Sequence, residues 1–134
     1  MTNYKYFQYF QPNPDKTKNK GDCTIRALCA ATNKDWVTVF DSLVYMARKQ
    51  YDMPNSMDVV IGFLEAEGFV KQTISVKKGQ HRPTMQTLIK KHPKTILFGR
   101  CAHHVNCAKG GKVLDLWDTS EMPLYAYWIK PEEG

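Results

Sequence analysis

A chain of 134 residues is long enough to bury one core without staples and too short for two ordinary domains. Apolar residues make up 43% and charged residues 24%, a globular balance that argues against disorder. No apolar run reaches the roughly 18 residues of a membrane helix. The opening MTNYKYFQYFQPNPDK lacks the apolar stretch of a secretory signal, so a soluble, cytoplasmic protein is expected. Lys plus Arg number 19 against 13 Asp plus Glu, a formal charge of +6. The basic residues form three groups: Lys16, Lys18 and Lys20; Lys77, Lys78, His81 and Arg82; Lys90 and Lys91. All fall in expected loops and helix ends, which reads as solubility rather than a nucleic-acid face.

Taken in order, residues 4–10 are aromatic and predict an extended arm or short strand, followed by a polar loop with Pro12 and Pro14. Asp22 is expected to cap a helix over 23–32 by accepting the unpaired N–H groups of its first turn. Ile25, Leu28, Cys29 and Thr32 fall at helical spacing there. A second helix over 35–50 carries the stripe Trp36, Val39, Phe40, Leu43, Val44 and Ala47. Pro54, Asn55 and Ser56 introduce a third, over 57–67, with Gly68 suited to its C-terminal turn.

The second half changes period. Strands are predicted over 69–76, 95–98, 102–108, 112–117 and 124–129, with a short helix over 83–91. Gly110 and Gly111 are a two-residue hairpin signal. Helices first, then an antiparallel sheet, give a single α+β domain over 1–134, with 1–21 as an arm and loop.

Four cysteines, Cys23, Cys29, Cys101 and Cys107, are expected as reduced thiols. Cys101, His103, His104 and Cys107 place four metal-ligating types in seven residues, but a strand would turn alternate ones to opposite faces, so no metal is expected. Cys29 belongs to its helix's apolar stripe and reads as a small buried hydrophobe. Cys23 does not. It opens a helix, where backbone N–H groups and the helix dipole favour a thiolate, and a nearby base would complete its activation.

The hairpin supplies candidates for that base. With Gly110–Gly111 as the turn, residue 109 pairs with 112. His103 then faces Asp118, while His104 faces Trp117 with Asp115 one diagonal step away. Either pairing puts an imidazole and a carboxylate on one face, the arrangement that orients a histidine to activate a cysteine.

The order of a helix-start Cys, a His on a strand and an Asp two residues before a Trp resembles the papain-like cysteine peptidase superfamily. There the corresponding strand reads Asn-Ser-Trp; here it reads Asp115-Leu116-Trp117. The strings GDCTIRAL, NKDWVTVFDSL, HHV, GGKVLDLWDTS and YAYW also resemble small phage and bacterial proteins assigned to that superfamily, over nearly the whole chain. The resemblance implies a minimal papain-like domain with Cys23 as nucleophile, His104 as general base and Asp115 as its orienter. Trp117 would shield the His–Asp pair, and His103 with Asp118 remains the alternative.

The family's oxyanion-hole glutamine, six residues before the cysteine, is here Thr17. Asn19 is the nearest amide, with Gln11 or Asn13 reaching back from the loop. Arg26 either supports the thiolate and Asp22 or is a surface arginine. The implied activity is hydrolysis of an amide (peptide, isopeptide or side chain) in a protein or peptide substrate, without cofactor. Loops 50–57, 77–83 and 118–123 would set specificity. For a phage-encoded chain the substrate would be a host protein in the host cytoplasm. The alternative is a non-catalytic protein that binds a host factor on the same scaffold. No membrane or nucleic-acid partner is expected, and the sequence sets no oligomeric state.

Overall fold

The computed structural model describes residues 5–16 and 21–131. Helix α1 spans Cys23–Thr32. Its inner face is Ala27, Leu28, Cys29, Ala30 and Ala31, all buried, and these small side chains let the helix lie close along the sheet. α2 (Trp36–Gln50) buries Val39, Leu43 and Ala47, and α3 (Met57–Ala66) buries Val59, Val60, Phe63 and Leu64. The Asp35 carboxylate accepts the Thr38 N–H at 2.8 Å and caps α2. Gly68, at φ +89°, takes the left-handed turn after α3. α4 (Met85–Lys91) is closed by a reciprocal box between Thr84 and Thr87. Among the described residues no helix is long and apolar enough to cross a membrane.

The strands are β1 (Phe7–Tyr9), β2 (Val70–Gln72), β3 (Ile96–Cys101), β4 (His104–Lys109), β5 (Lys112–Asp115) and β6 (Ala126–Lys130). They form one sheet in the order β1-β5-β4-β3-β6-β2. Alternation along the central strands divides two cores. Phe98, Val105, Cys107 and Trp128 face α1–α3. Leu97, Ala108 and Val113 face α4 together with Leu124. Each large apolar side chain withdrawn from water here contributes about 1.5–3 kcal/mol.

Several expectations change. The sheet is mixed rather than antiparallel, because β1 runs parallel to β5, pairing Phe7 with Val113 and Tyr9 with Asp115. The strand expected over 69–76 pairs only at Val70–Gln72. Beyond it, Ile74 and Val76 are half-buried while their neighbours are exposed. The alternation is therefore real, but it lacks a ladder partner. Asp22 stands at the N-cap of α1 without making a capping bond. The strand expected over 102–108 begins at His104, because His103 takes a left-handed φ of 55° in the turn that leads out of β3. Its partner ends at Asp115, not at 117. The hairpin register is as read: Lys109 pairs with Lys112 and Ala108 with Val113. Gly110 and Gly111 take φ of +63° and +78°, the left-handed pair that this tight turn requires.

Candidate active site

Cys23 enters the site because α1 starts there and packs its side against β4. The first residue of β4 is His104, and β5 ends on Asp115. His104 Nε2 lies 2.8 Å from Asp115 Oδ2. Cys23 and His104 line one cleft, close enough for each to act on the other's titration. The structure thus brings Cys23, His104 and Asp115 together across three elements.

The carboxylate of Asp115 is buried at 3% exposure and fully engaged. Its Oδ2 also accepts the Thr119 hydroxyl at 2.9 Å, and its Oδ1 accepts the Leu116 N–H at 2.8 Å. Arg26 Nη2 stands 3.5 Å from the same Oδ1. Burial opposes its charge. The bonds from His104, Leu116 and Thr119, with the charge of His104, overcome that and hold the carboxyl below its ordinary range.

The titrations of the other two groups are displaced in opposite directions. Burial penalises a charged imidazole, but the Asp115 bond and charge, with those of Cys23, push His104 up to about 9. Burial likewise penalises the Cys23 thiolate. The His104 bond, the Val105 backbone N–H and the charges of His104 and Arg26 bring its thiol below the ordinary value. Both shifts act in the direction of a thiolate–imidazolium pair. The remaining cysteines move the other way: burial pushes Cys29 and Cys107 up to about 12 and Cys101 to about 11.

Arg26 is no surface arginine. At 2% exposure its guanidinium pairs with Asp22 and reaches toward Asp115. The Asp22 carboxylate also accepts Trp36 Nε1 at 2.8 Å and Asn13 Nδ2 at 3.0 Å. Those three partners explain why it does not cap α1: its oxygens are turned toward side chains rather than toward the helix.

The alternative pair is separated. His103 sits exposed in its turn, and the exposed Asp118 accepts the Ser120 N–H at 2.9 Å. Trp117 lies against the His104 ring, centroids 5.1 Å apart, but is 46% exposed. It covers one side of the imidazole and is not the fully buried shield the sequence suggested. Thr17 and Asn19 lie outside the described residues. Asn13 and Gln11 are buried in loop bonds: Asn13 holds Asp22, and Gln11 Oε1 accepts the Asn13 N–H at 3.1 Å. Among the described residues no group of three or more His, Cys, Asp or Glu is placed to hold a metal ion.

Sequence reasoning missed Thr119 and its support. Asn106 Nδ2 donates to the Thr119 hydroxyl at 3.1 Å, so a buried amide on β4 fixes the hydroxyl that fixes Asp115. A polar residue inside the otherwise apolar run of β4 was the available signal.

These contacts rank substitutions. Asp115→Ala should lower the Cys23 alkylation rate at pH 7 by about 10- to 100-fold, the loss of a charge-assisted hydrogen bond worth about 1.5–3 kcal/mol. Asp115→Asn keeps an acceptor and should lose less. Asp118→Ala should stay within about two-fold, since an exposed side chain's bond to a turn N–H is worth little. Iodoacetamide labelling followed by mass spectrometry measures all three, and a larger loss in Asp118→Ala than in Asp115→Ala would contradict the assignment.

No protein-family model matches the chain, and no curated protein or solved structure is significantly similar to it.

Proposed function

We propose that the protein is a cysteine-dependent hydrolase of the papain-like type, cleaving an amide bond in a protein or peptide. The observation that carries this reading is the meeting of Cys23 and His104 at one cleft, with His104 hydrogen-bonded to Asp115, the thiol lowered and the imidazole raised. A helix-start cysteine against a sheet that bears the histidine and the carboxylate is also what the sequence resemblance implies. The Cys23 thiolate attacks the amide carbonyl carbon, and the carbonyl π electrons move to oxygen. Backbone N–H groups at the start of α1, which Asp22 leaves uncapped, are suited to receive that oxyanion. Collapse breaks the C–N bond while the His104 imidazolium gives its proton to the leaving amine. Water, deprotonated by the now neutral His104, then opens the thioester. A carboxylic acid is released and the thiolate–imidazolium pair is restored. Asp115 keeps the imidazole ring oriented throughout. The setting is the cytoplasm, that of the host for a phage-encoded chain.

The test begins with thiol reactivity. Brief iodoacetamide treatment at pH 7 should label Cys23 at least about ten times faster than Cys29, Cys101 or Cys107, whose thiols are buried and raised. Hydrolysis of a mixed peptide-amide library should then depend on Cys23 and vanish in Cys23→Ala. Equal labelling of the four cysteines would overturn the nucleophile. Fast labelling with no hydrolysis would favour the non-catalytic binding protein.

A further inference from the structure

The cysteine does not sit at the end of a pocket. It sits on a ridge between two clefts, of about 600 and 610 Å³, and Cys23, Thr24, Asn55 and His103 line both. The clefts differ in chemistry. On the helical side the wall is Ile25, Trp36, Phe40 and Leu43 with Pro54. Trp36 and Phe40 stack with centroids 5.2 Å apart and planes within 11°, and Phe40 is 40% exposed. The Trp36 ring is pinned by its bond to Asp22, so this apolar surface is preformed. Asp22, the one carboxylate along that side, has its charge taken up by Arg26.

On the sheet side the lining includes Arg100, His103 and Tyr125 and, among the described residues, no carboxylate. Arg100 is exposed. A second guanidinium, Arg82, lies 4.8 Å from the Tyr125 ring centroid and donates from Nη1 to the Leu124 carbonyl at 3.4 Å, so it adds positive charge beside the cleft while Arg100 is the guanidinium that lines it.

We propose that the substrate is an extended peptide segment lying across Cys23, with an aromatic or large apolar side chain on the Trp36–Phe40 wall and an acidic side chain at Arg100. This specifies the substrate class of the hydrolase reading and rests on it. Apolar area and opposite charge on the two sides of the nucleophile fix both the place and the direction of the chain. Asn55, common to both clefts, stands where the substrate backbone crosses.

Three iodoacetamides of increasing complexity test this on the intact protein: iodoacetamide itself, its N-benzyl derivative, and N-iodoacetyl-β-alanine. In each the thiolate forms a C–S bond and displaces iodide, so Cys23 labelling reads only how the tail is received. Each rate is taken as a ratio to that of iodoacetamide on the same variant, which cancels general changes in thiol reactivity. The benzyl tail is expected to gain about ten-fold, from burial of a ring against apolar surface, and Phe40→Ala should remove most of that gain. The carboxylate tail is expected to gain about three-fold at low ionic strength. Salt should erase that gain and Arg100→Glu should reverse it. Fast iodoacetamide labelling with neither tail preferred, or with preferences indifferent to Phe40→Ala and Arg100→Glu, would overturn the two-sided cleft and leave the hydrolase standing. Failure of iodoacetamide itself to label Cys23 selectively would overturn both.

Discussion

His104→Ala should slow Cys23 alkylation at pH 7 by about two orders of magnitude, while His103→Ala changes it no more than a few-fold. The wild-type thiol is held below its ordinary value against the penalty of burial, chiefly by the bond and charge of His104. Without the imidazole that penalty remains and most of the compensation goes. The thiolate fraction at neutral pH then falls to about a hundredth or less, as for a thiol titrating near 9. His103 offers no such support from its exposed turn. The pH profile carries the sign. In the wild type, alkylation persists as pH falls well below the ordinary thiol range. In His104→Ala it rises only as pH climbs through and beyond that range. Above about 9 the wild-type His104 loses its proton. The thiolate survives there but the proton donor for the leaving amine does not, so amide hydrolysis should decline on a limb where alkylation does not. Circular dichroism controls for folding. The reverse ranking of the two histidines would transfer the base to His103.

Arg26→Met should be the most destabilising single change near the site, costing about 3–5 kcal/mol. That is the range for removing one partner of a buried ion pair and leaving the other uncompensated. Here Asp22, at 7% exposure, is left with the neutral donors Trp36 and Asn13, while Asp115, at 4%, keeps His104, Leu116 and Thr119. Arg26→Lys should recover little, since a point charge cannot reach both carboxylates as a planar fork does. The deficit should shrink as pH falls. Arg26 is among the groups that hold Asp22 below its ordinary value; without it the folded pKa of Asp22 rises, so the variant's deficit is full above the unfolded value and fades as pH falls toward it. Urea denaturation of the three proteins at pH 5 and pH 8 measures this. Equal midpoints for Arg26→Met and wild type would show that the network contributes nothing to folding.

Much of this was legible in the chain because local signals agreed. The span of α1 follows from its stripe and from Asp22 before it. The β4–β5 register follows from the glycine pair; it left His103 with Asp118 and His104 with Asp115 both open, and the Asp-x-Trp pattern favoured the second. What was not legible depended on contacts between distant segments. Arg26 looks like any polar position on a helix until β5 delivers Asp115 beside it. Asp22 has the residue type of a cap, but Trp36 and Asn13 compete for its oxygens and win. His103 and His104 are indistinguishable by type. A left-handed backbone at His103 removes it from the strand, and nothing in the two residues themselves announces that. β1 carries three residues of pairing and no periodicity that would reveal its direction. Trp117 matched a motif whose usual enclosure this short chain does not build around it.

The pairing of Phe7 with Val113 has a consequence for the order of assembly. Cys23 and Arg26 lie on α1, far in sequence from the strands that bear His104 and Asp115. Contacts so remote in sequence form late, because the loop they close must be ordered before they are rewarded. Until those contacts form, Cys23 is an ordinary cysteine at the start of a helix. Its thiol is tuned only when β4 and β5 pack with α1, and β1 pairs along β5 at that edge of the sheet. In the proposed hydrolase, reactivity at Cys23 would therefore report that the sheet has closed on α1.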